Sequence, residues 1–231
     1  MVREHMSSQF HAELGEIRAL LLEMGGEVEL MTVNAVRSLV ERDSTLAEKT
    51  IARGKTINAL EVAIDRKCLQ LLARRQPAAR DLRFVTLALK IVTDLERIGD
   101  HGARIAEHAL VLNRELPLEP YLGLPLLAGN ANSAVRHALD AFVNANTELA
   151  EKVCRDDFQI DRLNEQLQRE LLSFMVNDAS AVPRAMRMNS VAKFLERIAD
   201  HDTNIAEMVI FMVEGKDIRH AAPLDPAGCH Y

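Results

Sequence analysis

Carboxylates recur at helical spacing along this chain. The stretch "LERIGDHGARIAE", beginning at Leu95, sets Asp100 four residues after Glu96 and Glu107 seven after that. "LERIADHDTNIAE", beginning at Leu195, sets Glu196, Asp200 and Glu207 at the same intervals. Nine of the thirteen residues match, at a constant offset of 100. At about 100° per residue, Asp100 and Glu107 fall within about 40° of Glu96, while Ile98 and Ile105 fall about 180–200° away. Each copy therefore forms an acidic stripe opposite an apolar seam. Carboxylate oxygens at this spacing suit hard or intermediate cations such as Mg²⁺, Mn²⁺ or iron.

One face of one helix cannot surround an ion. An upstream segment, "LEVAID", offers a second pair four residues apart, Glu61 and Asp65. The matching positions in the second copy are Asn164 and Gln168, and the nearest acids there are Asp157 and Asp161. A second cluster would be built differently from the first. The plain alternative is a solvated face. Arg97 and Arg104 lie three and four residues from Asp100 and can neutralise the first stripe through surface pairs worth about 0.2–0.5 kcal/mol each. The second stripe keeps Arg197 but has Asn204 in place of Arg104, so its acids are less compensated. His101 and His201 flank the stripes and read as surface or packing residues.

These side chains need helices to hold them, and the composition supplies helices. Of 231 residues, 48 % are hydrophobic and only 4 % aromatic, with no Trp, so the core is Leu, Ile, Val, Ala and Met. Ten Gly and seven Pro leave little room for the turns of an all-β fold. Phe10, Leu14, Ile17, Leu21, Met24, Val28, Met31, Ala35 and Leu39 step by four and three along one long helix capped at Ser7, continuing through Gly25-Gly26. Asp43 or Ser44 caps a second helix ending near Arg75, and Pro77 in "QPAARDLR" breaks the chain. A third helix carries the seam Ile91, Leu95, Ile98, Gly102, Ile105, Ala109, Leu112. The Pro-rich stretch at 113–125 is a linker, after which the pattern restarts: "LAEK" at 46–49 recurs at 149–152. Breaks in the second half are expected near Arg155 and at "SAVP", 180–183.

The expectation is an all-α chain of two tandem three-helix bundles, residues 7–115 and 119–220, with one buried stripe per helix and a loose tail at 221–231. The formal charge of −6 and the lack of a basic run with interleaved aromatics argue against nucleic-acid binding. Cys68, Cys154 and Cys229 have neither metal-ligand spacing nor a disulfide framework, which suits a reducing compartment. The N-terminal stretch lacks the apolar core of a signal peptide, and "MVIFMV" at 208–213 is too short to span a bilayer. A cytoplasmic protein with no membrane insertion is expected. No residue is picked as catalytic. There is no Gly-x-Ser-x-Gly, no Gly-rich phosphate cradle and no Glu-x-x-His. The one carboxylate-x-x-His, Asp217 to His220, lies past the last seam.

The ordered series "LEVAID", "RRQPAARDLR", "DLERIGDHGARIAE", "LERIADHDTNIAE" and "GKDIRH" resembles the PhoU family of phosphate-transport accessory proteins, from Phe10 to His220. That resemblance implies tandem three-helix bundles, a homodimer, and metal on motifs of the form Glu/Asp-x-x-x-Asp. Glu61/Asp65, Glu96/Asp100 and Glu196/Asp200 match the motif, with Glu207 on the same stripe. The implied ions are Mg, Mn, Fe or Zn, with no organic cofactor. The implied role is negative regulation of the phosphate-starvation response through contact with the phosphate ABC-transporter ATPase and the phosphate sensor histidine kinase, without catalysis. Two rivals remain beside it: a metal-free helical scaffold and a carboxylate-bridged di-metal enzyme in a helical bundle.

Overall fold

The computed structural model describes residues 2–75, 77–118, 123–215 and 218, and of residues 2–8 the backbone alone. The described residues form six α-helices: α1 (Val2–Val40), α2 (Ser44–Arg74), α3 (Ala79–Leu112), α4 (Gly123–Asn144), α5 (Thr147–Asn177) and α6 (Val182–Glu214), with a short 3₁₀ turn at Ala179–Ala181. There is no strand among the described residues. The expected tail, with Cys229, lies outside them, as do residues 119–122 of the linker and Asp217 and His220.

The repeat is legible down to its turns. Arg42 and Ala145, 103 residues apart, both take left-handed backbone angles, φ 57° and 51°. Each is followed by a cap: the Asp43 carboxylate accepts from the Leu46 N–H at 2.9 Å and the Asn146 side chain from the Leu149 N–H at 3.1 Å. The expected break near Arg155 does not exist. α5 runs unbroken from Thr147, because the cap at Asn146 starts it where Asp43 starts α2. α1 likewise begins at Val2 rather than at Ser7. Gly25-Gly26 interrupts nothing: α1 is one helix of 39 residues.

α1, α2 and α3 pack on one another, and so do α4, α5 and α6. The two bundles also join, α1 to α4 and α3 to α6, so α1, α3, α6 and α4 close a ring of contacts, with α2 packed on α1 and α3 and α5 packed on α4 and α6. One continuous core results. This arrangement explains why the expectation of a single buried stripe per helix fails for α3 and α6. Each serves its own bundle and the partner bundle. Burial on α3 extends to Ala88, Val92, Gly99 and Ala106 beside the expected seam, Gly99 against Ile57 of α2 and Val28 of α1, and burial on α6 includes Ala192, Ala199, Asp202 and Ala206.

Candidate metal centre

The carboxylates gather where the second and third helices of each bundle face each other. In the first bundle Glu96 is half-buried on α3, and burial, then Asp100, then Glu61 across on α2, raise its pKa. Its stripe is thus not fully turned away from the bundle: a wide buried face on α3 leaves Glu96 at the α2–α3 groove. Asp65, one turn further along α2, acts on Cys68 instead. The expected Arg97 and Arg104 pairs with Asp100 are replaced: Arg104 meets Glu107 at 3.0 Å and Arg97 meets Glu96 at 3.7 Å.

The second bundle gathers Glu196, Asp200, Asp161 and Asp157. Burial, then Asp200 and Asp161, raises Glu196, and burial, then Asp161, raises Asp200. Burial, then Asp161, Asp200 and Glu196, pushes Asp157 up to about 6. Asn164, at the position of Glu61, is buried with 2 % exposure and hydrogen-bonded to Glu196. Glu207 stands two turns beyond Asp200, beside Cys154, rather than in this group.

Both thiols, Cys68 and Cys154, are pushed up to about 12, chiefly by burial, so neither offers a thiolate at neutral pH. The donors at hand are oxygens, which fit Mg²⁺, Mn²⁺ and Fe²⁺ better than the nitrogen- and sulfur-seeking Zn²⁺. Like-charged carboxylates held together out of water favour a neutralising cation. Among the described residues no three His, Cys, Asp or Glu side chains converge into a preformed ion site. An ion would draw the crowded side chains inward.

The histidines sit elsewhere, on the seam between bundles. His101 stacks on Phe194 with ring centroids 5.6 Å apart, and its pKa is lowered to about 4 by burial and then by His201. His201 Nδ1 lies 2.8 Å from Asp94 Oδ1. They pack the interface, in keeping with the structural reading of those positions. Sequence reasoning passed over Asp94 and Asp202. For Asp202 a signal was present: an acid stands where the first copy has Gly102.

Paired carboxylates in each half of a repeat-related, all-α double bundle define the class of protein. The chain belongs to the PhoU family: the PhoU domain matches residues 21–109 and again 124–209. It is 43 % identical over 218 residues to a phosphate-specific transport system accessory protein PhoU homolog of Pseudomonas putida, covering 94 % of this chain and 85 % of that one. With the PhoU protein of Escherichia coli K12 it shares 35 % over 219 residues, 95 % and 91 % of the two chains. The crystal structure of PhoU from Pseudomonas aeruginosa superimposes with a TM-score of 0.86 at 40 % identity, over 90 % of this chain and all of that one. That of the phosphate transport system regulatory protein PhoU from Streptococcus pneumoniae does so with 0.83 at 30 %, over 90 % and 98 %.

Proposed function

We propose that this protein is a negative regulator of the phosphate-starvation response and a modulator of phosphate uptake. The observation that carries the reading is similarity along almost the whole chain to accessory proteins of phosphate-specific transport. The protein works in the cytoplasm as a homodimer, by contact with the transporter ATPase and the sensor histidine kinase, and catalyses no reaction of its own. No described helix is long and apolar enough to cross a membrane, which suits a protein that reaches these partners from outside the bilayer. The carboxylates Glu61, Glu96 and Asp100, and Glu196, Asp200 and Asp161, bind hard divalent cations that neutralise each groove. Asp65 and Glu207, a turn or two away, help only where side chains swing toward the ion.

The test is deletion of the gene from its host. Starvation genes should stay on in high phosphate while uptake persists, and the intact copy should restore repression. Normal repression in the deletion strain overturns the assignment. Capture of the ATPase and the kinase by the purified chain tests the contacts, and sedimentation tests the dimer.

A further inference from the structure

α1 carries two apolar seams, and only one of them is buried. The seam from Leu14 to Leu39 faces the core. On the opposite side of the helix lie Ala19, Leu22, Gly26, Leu30, Val33 and Val40, spaced by three, four or seven residues. At about 100° per residue they fall within an arc of about 80°, about half a turn from the buried seam. All six are exposed, Leu30 at 39 % and Val33 at 46 %. Such spacing is that of a helix packed along another helix, and a continuous apolar strip on a surface marks a face that another molecule covers.

Two further features of this face point to a second copy of the same chain. The first is a groove of about 280 Å³ at one end of the strip, between Val36 and Val40 of α1 and Pro125 and Ala128 of α4. Its walls are apolar and it has room for a leucine side chain. The second is charge. Glu13, Glu16, Glu27 and Glu29 of α1 each meet an arginine or lysine of a neighbouring segment. Glu23, exposed at the edge of the strip, meets none among the described residues. Arg37, on the strip itself, pairs only with Glu41 one turn on, and both side chains of that pair are more than half exposed. Glu23 and Arg37 stand seven residues on either side of Leu30. A second α1 laid antiparallel with Leu30 on the two-fold axis therefore sets Glu23 against Arg37, Leu22 over the groove, and the small Ala19 against Val40. In a two-fold interface each of these contacts is made twice.

We propose that the outer face of α1, flanked by the start of α4, is the surface through which two copies of this chain pair, antiparallel and two-fold symmetric about Leu30. The inference rests on the homodimer reading above and gives that dimer its interface. Leu30 meets the partner's Leu30, Leu22 enters the partner's groove, and Glu23 meets the partner's Arg37. The strip from Ala19 to Val40 is about 32 Å long, and with α4 beside it about 20 Å wide. That is about 600 Å² of flat area before side-chain relief is added, close to the about 800 Å² per partner of a stable interface. The carboxylate grooves lie on other helices and are not part of it.

Sedimentation equilibrium of the full chain measures the dimer dissociation constant, and circular dichroism follows the fold. Leu30→Glu sets two carboxylates face to face on the axis and should give a monomer with unchanged helical signal, because Leu30 is outside the core. Glu23→Arg and Arg37→Glu should each raise the dissociation constant about ten-fold or more, since a like-charged pair then forms twice per dimer. The double exchange Glu23→Arg/Arg37→Glu should return it close to the wild-type value. A wild-type dimer whose constant is the same in all three single variants overturns this interface and leaves the homodimer reading standing. Weakening by the two charge reversals with no recovery in the double exchange overturns the antiparallel pairing about Leu30. A wild-type chain that stays monomeric at every concentration overturns both readings and leaves the strip to a different protein.

Discussion

At the scale of single residues, the second bundle stores unfavourable charge that pH and metal should reveal. Asp157 has an ordinary value of 3.8 and is pushed up to about 6 by burial and then by Asp161, Asp200 and Glu196. A raised carboxyl pKa means that the protonated form is favoured in the fold. Its contribution to stability is complete below about pH 4 and is lost as pH rises through about 6. A shift of about two units corresponds to about 3 kcal/mol at most. Chelator-treated wild type should therefore lose about 1–3 kcal/mol relative to Asp157→Asn between pH 4 and pH 7, by denaturant unfolding at each pH. Mn²⁺ at pH 7 should restore the loss in wild type. Parallel pH curves for the two proteins would show that the crowding is not felt. Asp100 is exposed, so Asp100→Ala should move stability by only a few tenths of a kcal/mol while lowering bound metal; Asp200→Ala should lower bound metal and, without metal, stabilise the fold slightly, because it removes a carboxylate that crowds Asp157 and Asp161. Full metal content in both variants would remove these two from the ligand set.

At the scale of elements, two adjacent glycines make opposite predictions. A methyl group on Gly25 would lie 2.1 Å from Leu139 Cδ1, where α1 crosses α4, and Leu139 is buried. On Gly26 it would meet nothing within 4 Å. Gly26→Ala should thus stabilise α1 by about 0.5–1 kcal/mol through helix propensity, and Gly25→Ala should destabilise by about 1–3 kcal/mol through overpacking. Equal melting shifts would refute this account of the crossing. Ala145→Gly should add about 1 kcal/mol, because a residue with a Cβ is strained at φ 51°. The helices themselves were legible because the stripe Leu14, Ile17, Leu21, Met24, Val28, Met31, Ala35, Leu39 has a period that only a helix satisfies, and every one of these is buried. The start of α5 was misplaced because no proline or glycine marks it. Ala145 adopts the left-handed turn without the residue type that announces one. The motif acids were legible from spacing. Asp202 was not, since a lone acid on a buried face contradicts the apolar pattern from which buried faces are read.

At the scale of the whole molecule, periodicity along one helix is silent on what covers a second face, and the join between bundles arises there. Phe84 of α3 and Phe142 of α4 stack at 5.0 Å and 13°, under the Arg18 guanidinium of α1 at 4.6 Å from the Phe84 ring. Further along, Arg136 of α4 meets Glu29 of α1 at 2.6 Å, and the Asn132 side chain donates to the Glu29 carbonyl. The ion pair is largely exposed on the arginine side and contributes about 1 kcal/mol or less, so the apolar join dominates. Phe142 is 1 % exposed, and its removal leaves a cavity under rings from both halves. Phe142→Ala should therefore cost about 3–5 kcal/mol. Because one core runs through both bundles, that loss should appear in both. Amide-exchange protection in α2, which Phe142 does not touch, should fall together with protection in α5, and melting should remain a single transition. If α5 loses protection while α2 keeps it, the halves unfold independently, and α3 and α6 merely lie side by side. A joint response would mean that an ion bound in either groove biases the stability of the whole double bundle, which is the property a regulator needs to report one event on two surfaces.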